Sequence, residues 1–485
     1  MKHKIISGQE LFDLIQSLTK AEKRHFKLST AKEKGEKFYI TLFNIINAQE
    51  AYDEREVLKK LRAEKTKKNY SQAKKYLFEK IIASLHSLGT YKNADSQVKE
   101  LVETAKLLRY KGLYNQAQRY LDLAEQEAIE GDTIYNRLHI NALAYNFSIN
   151  ATDAVSPVDR TQALNASGKK LAATLARYIE VYHIFRTVKS QQVVKPYCRS
   201  REEQERLLEL MAPLRDFDHE NFPVIGSRIH YHLTMNMYNA MIGNHAQSVE
   251  HCRQVLELVK AHPKIDNTIY PQLSNYISAA LKARRLDDLE ARLEEFLEGM
   301  QVNPDYHEQK LIYERWLLYR TQYLNYQGRF EETLRLHKAE RTRLAHYSPT
   351  TNYISFLLSY HLSVAHFFCR NHAEAWALVM KIVNEQDPRS DIYLYAKIFS
   401  LLILYERKEI DHLPYALRSA YRALLKKERL YAVEKLLLDF IRNAGRSVSK
   451  TDFKTLAQDI ERAFENPFEQ GMLYYFDLVR WLKEK

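Results

Sequence analysis

The stretch VKELVETAKLLRYKGLYNQAQRYLDLAE, from Val98 to Glu125, decides how the chain reads. Gly112 divides it into two runs with helical spacing, because a glycine just past the last periodic residue ends a helix without strain. Small residues stand at Ala105, Gly112, Ala117 and Ala124, and larger ones at Leu108, Tyr114 and Leu121. Two helices approach closely only where the facing side chains are small, and the larger ones fill the gaps beside the contact. The stretch reads as a helical hairpin. Poorer copies follow it: Gly243 with His245, Ser248, Cys252 and Val255, then Gly328 with Phe330, Thr333 and Leu336. Asn371 to Ala375 continues to Val379 and Ile382, and Glu409-Ile410 continues to Leu413, Leu417 and Ala420.

Proline punctuates the later copies. Pro263, Pro304, Pro349 and Pro388 are 41, 45 and 39 residues apart, each placed where a second helix should stop, since proline cannot continue a helix and pushes its predecessor out of helical geometry. The Val98 to Glu125 pattern resembles a tetratricopeptide repeat, whose period is about 34 residues. The units here are longer. The resemblance implies an all-α fold, an α-α superhelix or tetratricopeptide-like solenoid with lengthened helices over residues 93–485. Residues 130–228 are its irregular part, broken by Pro157, Pro196, Pro213 and Pro223, and a C-terminal helix over 468–484, with Phe468, Leu473, Phe476, Leu478 and Trp481, is expected to close it.

In that family the first helix of each pair lines a concave groove. The resemblance implies that Lys99, Val102, Lys106 and Arg109 face it in one repeat, and Arg315, Leu318, Gln322 and Asn325 in another. In the C-terminal repeats the corresponding residues include Leu357, Tyr360, Val364, Phe367, Tyr395, Ile398, Leu402 and Tyr405. The cations and amides match those that clamp peptide carboxylates in some members, and the aromatic set suits apolar side chains. The competing reading is that these residues simply pack between lengthened helices.

Residues 1–92 read as a separate, small basic helical domain. Ser7 to Glu10 and Thr19 to Glu22 are capping boxes, and Asp53 to Glu56 caps a further helix. Inward faces are expected from Leu11, Leu14, Ile15 and Leu18, from Phe38, Leu42, Phe43 and Ile46, from Val57, Leu58 and Leu61, and from Ala73, Leu77, Ile81, Leu85 and Leu88. The region holds 20 Lys and Arg against 11 Asp and Glu, most of the chain's formal net charge of +12. Lys59, Lys60, Arg62, Lys65, Lys67, Lys68, Lys74, Lys75 and Lys80 face only Glu64 and Glu79 within one segment. Such an imbalance marks either an anionic partner or a solvated face.

The run from Asp53 to Tyr70, with Leu18 to Glu22 as an opening, resembles the helix-turn-helix domain of quorum-type regulators. It departs at Lys67, where that family buries an aliphatic residue, and at Arg62, which replaces an apolar turn residue. Nucleic-acid binding through Lys59, Lys60, Lys65, Lys67, Lys68, Lys74 and Lys75 is thus the alternative expectation, and a solvated basic face the favoured one. The layout also resembles peptide-responsive bacterial regulators that join such a domain to a repeat array. The Leu18 to Arg24 run resembles that of bacterial repeat proteins with no assigned function.

Composition narrows the rest. Glycine and proline, 12 and 11 of 485 residues, make up about 5% where roughly 12% is usual, too few turn residues for a sandwich, barrel or propeller. Neither a G-x-G-x-x-G nor a P-loop motif occurs, nor H-E-x-x-H, G-x-S-x-G or Cys-x-x-Cys. His366, Cys369 and His372 are spaced suggestively but fall across a helix end, and His230 and His232 do not share a face. No metal, cofactor or catalytic set is expected. Three scattered cysteines make no disulfide framework. The richest apolar run, Ile398 to Tyr405, is too short to span a bilayer and ends on Glu406-Arg407-Lys408. No signal segment is read at the start, so the expected setting is cytoplasmic and the Asn-x-Ser/Thr sequons are read as chance. The expected function is a non-enzymatic scaffold that binds a protein or peptide partner. The alternative is a transcriptional regulator with a repeat-array sensor.

Overall fold

The computed structural model describes residues 6–31, 37–63, 70–88, 93–148, 156–198, 200–265, 269–302, 306–347, 352–385, 391–426, 430–443 and 449–485. Among them every regular element is helical. The chain divides into two compact units, Met1–Glu127 and Ala128–Lys485.

The first unit opens with α1 (Gly8–Ser17), α2 (Lys20–Ala31), α3 (Lys37–Asn47), α4 (Glu54–Ala63) and α5 (Tyr70–Leu88). Their caps follow the sequence pattern. Ser7 Oγ accepts from the Glu10 amide at 3.1 Å while Glu10 accepts from the Ser7 amide at 2.7 Å. Thr19 and Glu22 form the same reciprocal pair, and Asp53 accepts from the amides of Arg55 and Glu56. The five helices bury one core in which Leu11, Ile15, Phe26, Leu42, Phe43, Ile46, Leu77 and Ile81 are almost fully enclosed. The helices α6 (Ala94–Tyr110) and α7 (Tyr114–Glu130) then flank a turn at Gly112.

The second unit continues with α8 (Ile134–Ser148), α9 (Pro157–Val194), α10 (Arg201–Leu210) and a short 3-10 turn at Ala212–Leu214. Ser156 caps α9 ahead of Pro157, and that helix runs on for 38 residues. Five hairpins follow: α11 (Ile225–Met241) with α12 (His245–Ala261), α13 (Ile269–Lys282) with α14 (Leu289–Val302), α15 (Tyr306–Tyr326) with α16 (Phe330–Ala339). After the short α17 (Arg341–His346) come α18 (Asn352–Phe368) with α19 (His372–Glu385) and α20 (Asp391–Glu406) with α21 (Leu413–Lys426). The helices α22 (Ala432–Asn443) and α23 (Lys450–Ala463) complete the row. From α11 to α16 and from α18 to α23 helices adjacent in the chain pack on one another, and the first helix of a hairpin also meets the first of the next, as α13 meets α15 and α15 meets α18.

One turn ends the first helix in all five hairpins. A residue with positive φ stands at Gly243, Arg284, Gly328, Arg370 and Lys408. Its amide bonds back three residues and the next amide bonds back five, as in Gly328 to Asn325 (3.0 Å) and Arg329 to Leu324 (2.9 Å). This is the Schellman arrangement, which satisfies carbonyls that the helix end would orphan. Gly112 and Asp132 make the same turn earlier in the chain. Arg284 carries no sequence signal of its own, since no glycine or asparagine marks it. The sequence pattern skips it for that reason, although it lies about midway between Gly243 and Gly328. Of the punctuating prolines, Pro263 follows α12 as expected, while Pro304, Pro349 and Pro388 lie outside the described residues.

The C-terminal stretch is not one helix. Pro467–Tyr474 forms a 3-10 helix capped by Asn466, Tyr475 to Asp477 breaks the run, and α24 (Leu478–Lys483) restarts under an Asp477 cap at 3.0 Å. Gly471 lets the segment lie close to α20, because a Cβ there would stand 2.9 Å from the Tyr395 hydroxyl. The helix α20 is buried on nearly every side, including Ile398 to Leu404. No helix among the described residues is long and apolar enough to cross a membrane.

Candidate functional site: a tyrosine-lined cleft under the C-terminal segment

The first helices of three successive hairpins turn one face each toward a common cleft. From α13 come Ser278 and Lys282, four residues apart, and from α15 come Arg315, Leu318, Tyr319, Gln322 and Tyr326. The helix α18 adds Ile354, Leu357 and His361. These are the spacings of single helix faces, so each helix places its residues by periodicity alone. Tyr197, Tyr353, Asp391, Tyr474 and Tyr475 add to the walls, and the cleft holds about 540 Å³.

The C-terminal segment runs over this face. Tyr474 stacks on Tyr197 at 5.5 Å and meets His245, and its carbonyl accepts from the Tyr326 hydroxyl at 3.1 Å. Tyr475 stacks on Tyr395 at 4.3 Å and sits edge-on to Tyr360. Phe476 lies between Phe367, Phe368 and Phe399. Trp481 Nε1 donates to the almost buried Glu406 carboxylate at 2.6 Å, and Lys485 pairs with the same group. Residues 467–485 therefore touch all five hairpins, from Gly243, whose Cα lies under Pro467, to Glu406.

The charges in the cleft are unbalanced. Lys282 is half-buried at its wall, and burial lowers its ammonium from the usual lysine range. Its Nζ lies 5.6 Å from the centre of the Tyr197 ring and 5.7 Å from that of Tyr474. Cys252, the nearby thiol that acts on it, stays protonated because burial pushes it up to about 12. Arg315 is half-buried, and neither cation forms an ion pair with a described residue. Burial raises the phenols of Tyr197, Tyr319, Tyr353 and Tyr474, and that of Tyr326 to about 12, so all remain neutral hydrogen-bonding groups. His361 is pushed down to about 3 by burial, and its neutral Nε2 faces the Gln322 amide at 2.9 Å. Asp391 is the one carboxylate that lines the cleft among the described residues.

Arg315 and Gln322 thus reach a shared concave site. Asn325 does not. It is buried, where its amide donates to the His361 carbonyl at 2.7 Å and its oxygen accepts from Thr333 at 2.9 Å, tying α15 to α18 and α16. Tyr360 and Phe367 are 1% and 3% exposed, which corrects the expectation that they are open to a ligand. The C-terminal segment covers them. Tyr405 is half-buried against Phe453 and Trp481. Lys99 and Lys106 are spent on Asp95 and Glu103 along α6, and Arg109 is half-buried. The aromatic walls Tyr197 and Tyr474 went unforeseen, since both lie outside the hairpins that carried the repeat pattern.

The basic segment of the first unit is less available than its composition suggests. Lys74 is 8% exposed, bonds Glu54 at 3.2 Å and lies over the Tyr70 ring, so it is a packing residue. Lys60 pairs with Glu56 and Lys75 with Glu79, while Lys59 is exposed. Lys65, Lys67 and Lys68 lie outside the described residues. Among the described residues no group of three or more His, Cys, Asp or Glu is placed to hold a metal ion. Comparison with protein-family models, with curated proteins and with solved structures gave no match.

Proposed function

We propose that the chain is a tetratricopeptide-like repeat protein, a non-enzymatic adaptor that takes a segment of a partner protein at the cleft between the first-helix faces of α13, α15 and α18. The observation that carries this reading is the seating of residues 467–485, a mostly non-α segment that lies across five hairpins as a bound peptide would. Repeat arrays of this kind recognise extended segments because successive hairpins repeat the same surface at a fixed offset. The 38-to-44-residue spacing of the positive-φ turns in the five hairpins supports a repeat with lengthened helices. Three free thiols fit a reducing, cytoplasmic setting.

Display selection of random peptides on the full chain tests this. The reading expects binders whose affinity falls in Arg315→Glu and Gln322→Glu variants that melt like the parent. It fails if selection yields no binder, or if every binder is indifferent to both changes. The nucleic-acid reading has no comparable support, since Lys74 is buried and Lys60 and Lys75 are paired.

A further inference from the structure

We infer that the cleft is a binding site for a small organic anion built on a planar ring, held between Lys282 and Arg315, and that this ligand fastens the C-terminal segment onto the array. The inference goes beyond the peptide reading, because its ligand is a free small molecule that would occupy the same cleft with no partner protein.

The sign of the ligand's charge comes from the two cations. An ammonium carries three donors, and the neighbours that enclose Lys282 are tyrosine ring faces, which attract the charge but accept none of its hydrogen bonds in the ordinary sense. Arg315, on the next first helix, brings a fork of donors suited to a carboxylate or phosphate, again with no carboxylate of a described residue in ion-pair range. Two such groups facing one space are costly to desolvate unless an anion joins them. Burial also keeps the phenols neutral, so among the described residues Asp391 is the single carboxylate on the wall against these two cations.

The shape of the ligand comes from the walls. The space of about 540 Å³ is within the roughly 300–1,000 Å³ of small-molecule sites. Tyrosine is the commonest residue on its wall, and flat rings pack well against tyrosine in offset or edge-on contact. Coupling follows from where Tyr474 and Tyr475 sit. They are part of the cleft's wall and part of the C-terminal segment, so a ligand touching them binds the docked segment better than the released one and must favour docking.

The test titrates the full chain with adenosine 5′-monophosphate and 4-hydroxybenzoate, each a ring bearing an anion. Inorganic phosphate serves as the anion without a ring, and tyramine as the ring with the opposite charge. Binding is read by calorimetry, and the C-terminal segment by hydrogen exchange at Tyr474 to Phe476. The inference expects one or both ring-bearing anions to bind at one site, more tightly than either control, and to slow exchange in the segment. Arg315→Gln should weaken that binding roughly tenfold or more while leaving the unliganded melting temperature unchanged. Lys282→Met should do the same; if it melts early, Arg315→Gln alone carries the test. Absence of binding by both ring-bearing anions up to millimolar concentration overturns the inference. So does binding that survives Arg315→Gln, or tyramine binding as well as the anions. Each of these leaves the display selection of peptides unaffected, so the two readings fail separately.

Discussion

A left-handed residue closes the first helix of each hairpin, yet only some of these residues are glycine. An L-residue there strains its Cβ against the backbone by about 1–2 kcal/mol, which glycine avoids. Lys408, exposed with φ of 56°, is the clearest case. Lys408→Gly should raise stability by up to about 1 kcal/mol, the strain relief being partly offset by a more flexible unfolded chain. Gly243→Ala should act oppositely and lose at least about 1 kcal/mol, because φ is +78° and its Cβ would meet Pro467 at 3.2 Å. Chemical denaturation measures both. Equal stability of the two variants and the parent would mean these turns adapt freely. Phe367 makes a sharper case. It is buried among Phe399, Phe476 and His372, so Phe367→Ala should cost about 3–5 kcal/mol and lower the melting temperature by several degrees. A residue of an open groove would cost little.

At the scale of elements, helices and caps were legible because they rest on neighbours in the chain. The faces Leu11-Ile15, Leu42-Phe43-Ile46 and Leu77-Ile81 are set by local periodicity, and the caps at Ser7, Thr19 and Asp53 by side chains three residues apart. The cleft was legible in half. Arg315 and Gln322 came from counting along one helix, whereas Tyr474 comes from a segment more than one hundred residues away that no periodicity connects to α15. The same long-range return buries Tyr360 and Phe367, which is why helix register alone mistook them for open positions. The segment is anchored at its end by Trp481 and the Glu406 carboxylate. Trp481→Ala should remove about 3–5 kcal/mol of packing and leave that buried carboxylate short of a donor. Hydrogen exchange across residues 467–485 should then accelerate well before α13 and α15 do. Unchanged exchange would show that the segment is held elsewhere.

Across the second unit, acid should be more damaging than the chain's basic composition suggests. His232, His245 and His361 are buried, and burial holds them near 3, 4 and 3. His219, His251 and Arg228 depress His232 further, Lys282 depresses His245, and Glu250 weakly opposes the effect at His232. Unfolded, each histidine takes a proton near pH 6.5. Their stabilising effect is therefore full above that pH and is lost as pH falls from 6.5 toward the folded values. By about pH 5 each such histidine removes roughly 2 kcal/mol. The melting temperature should drop steadily between neutral pH and about pH 5; a flat or rising profile would contradict neutral burial of these rings.

The central claim is that the faces of α13, α15 and α18 beneath the C-terminal segment form the working surface of the protein. Hydrogen exchange of the full chain, with and without a peptide obtained by display selection, tests it most directly. The account predicts new protection on those three helices and altered protection in residues 467–485, with α12, α14, α16 and α19 unchanged. Protection confined to the second helices of the hairpins, or to residues 1–127, would contradict it.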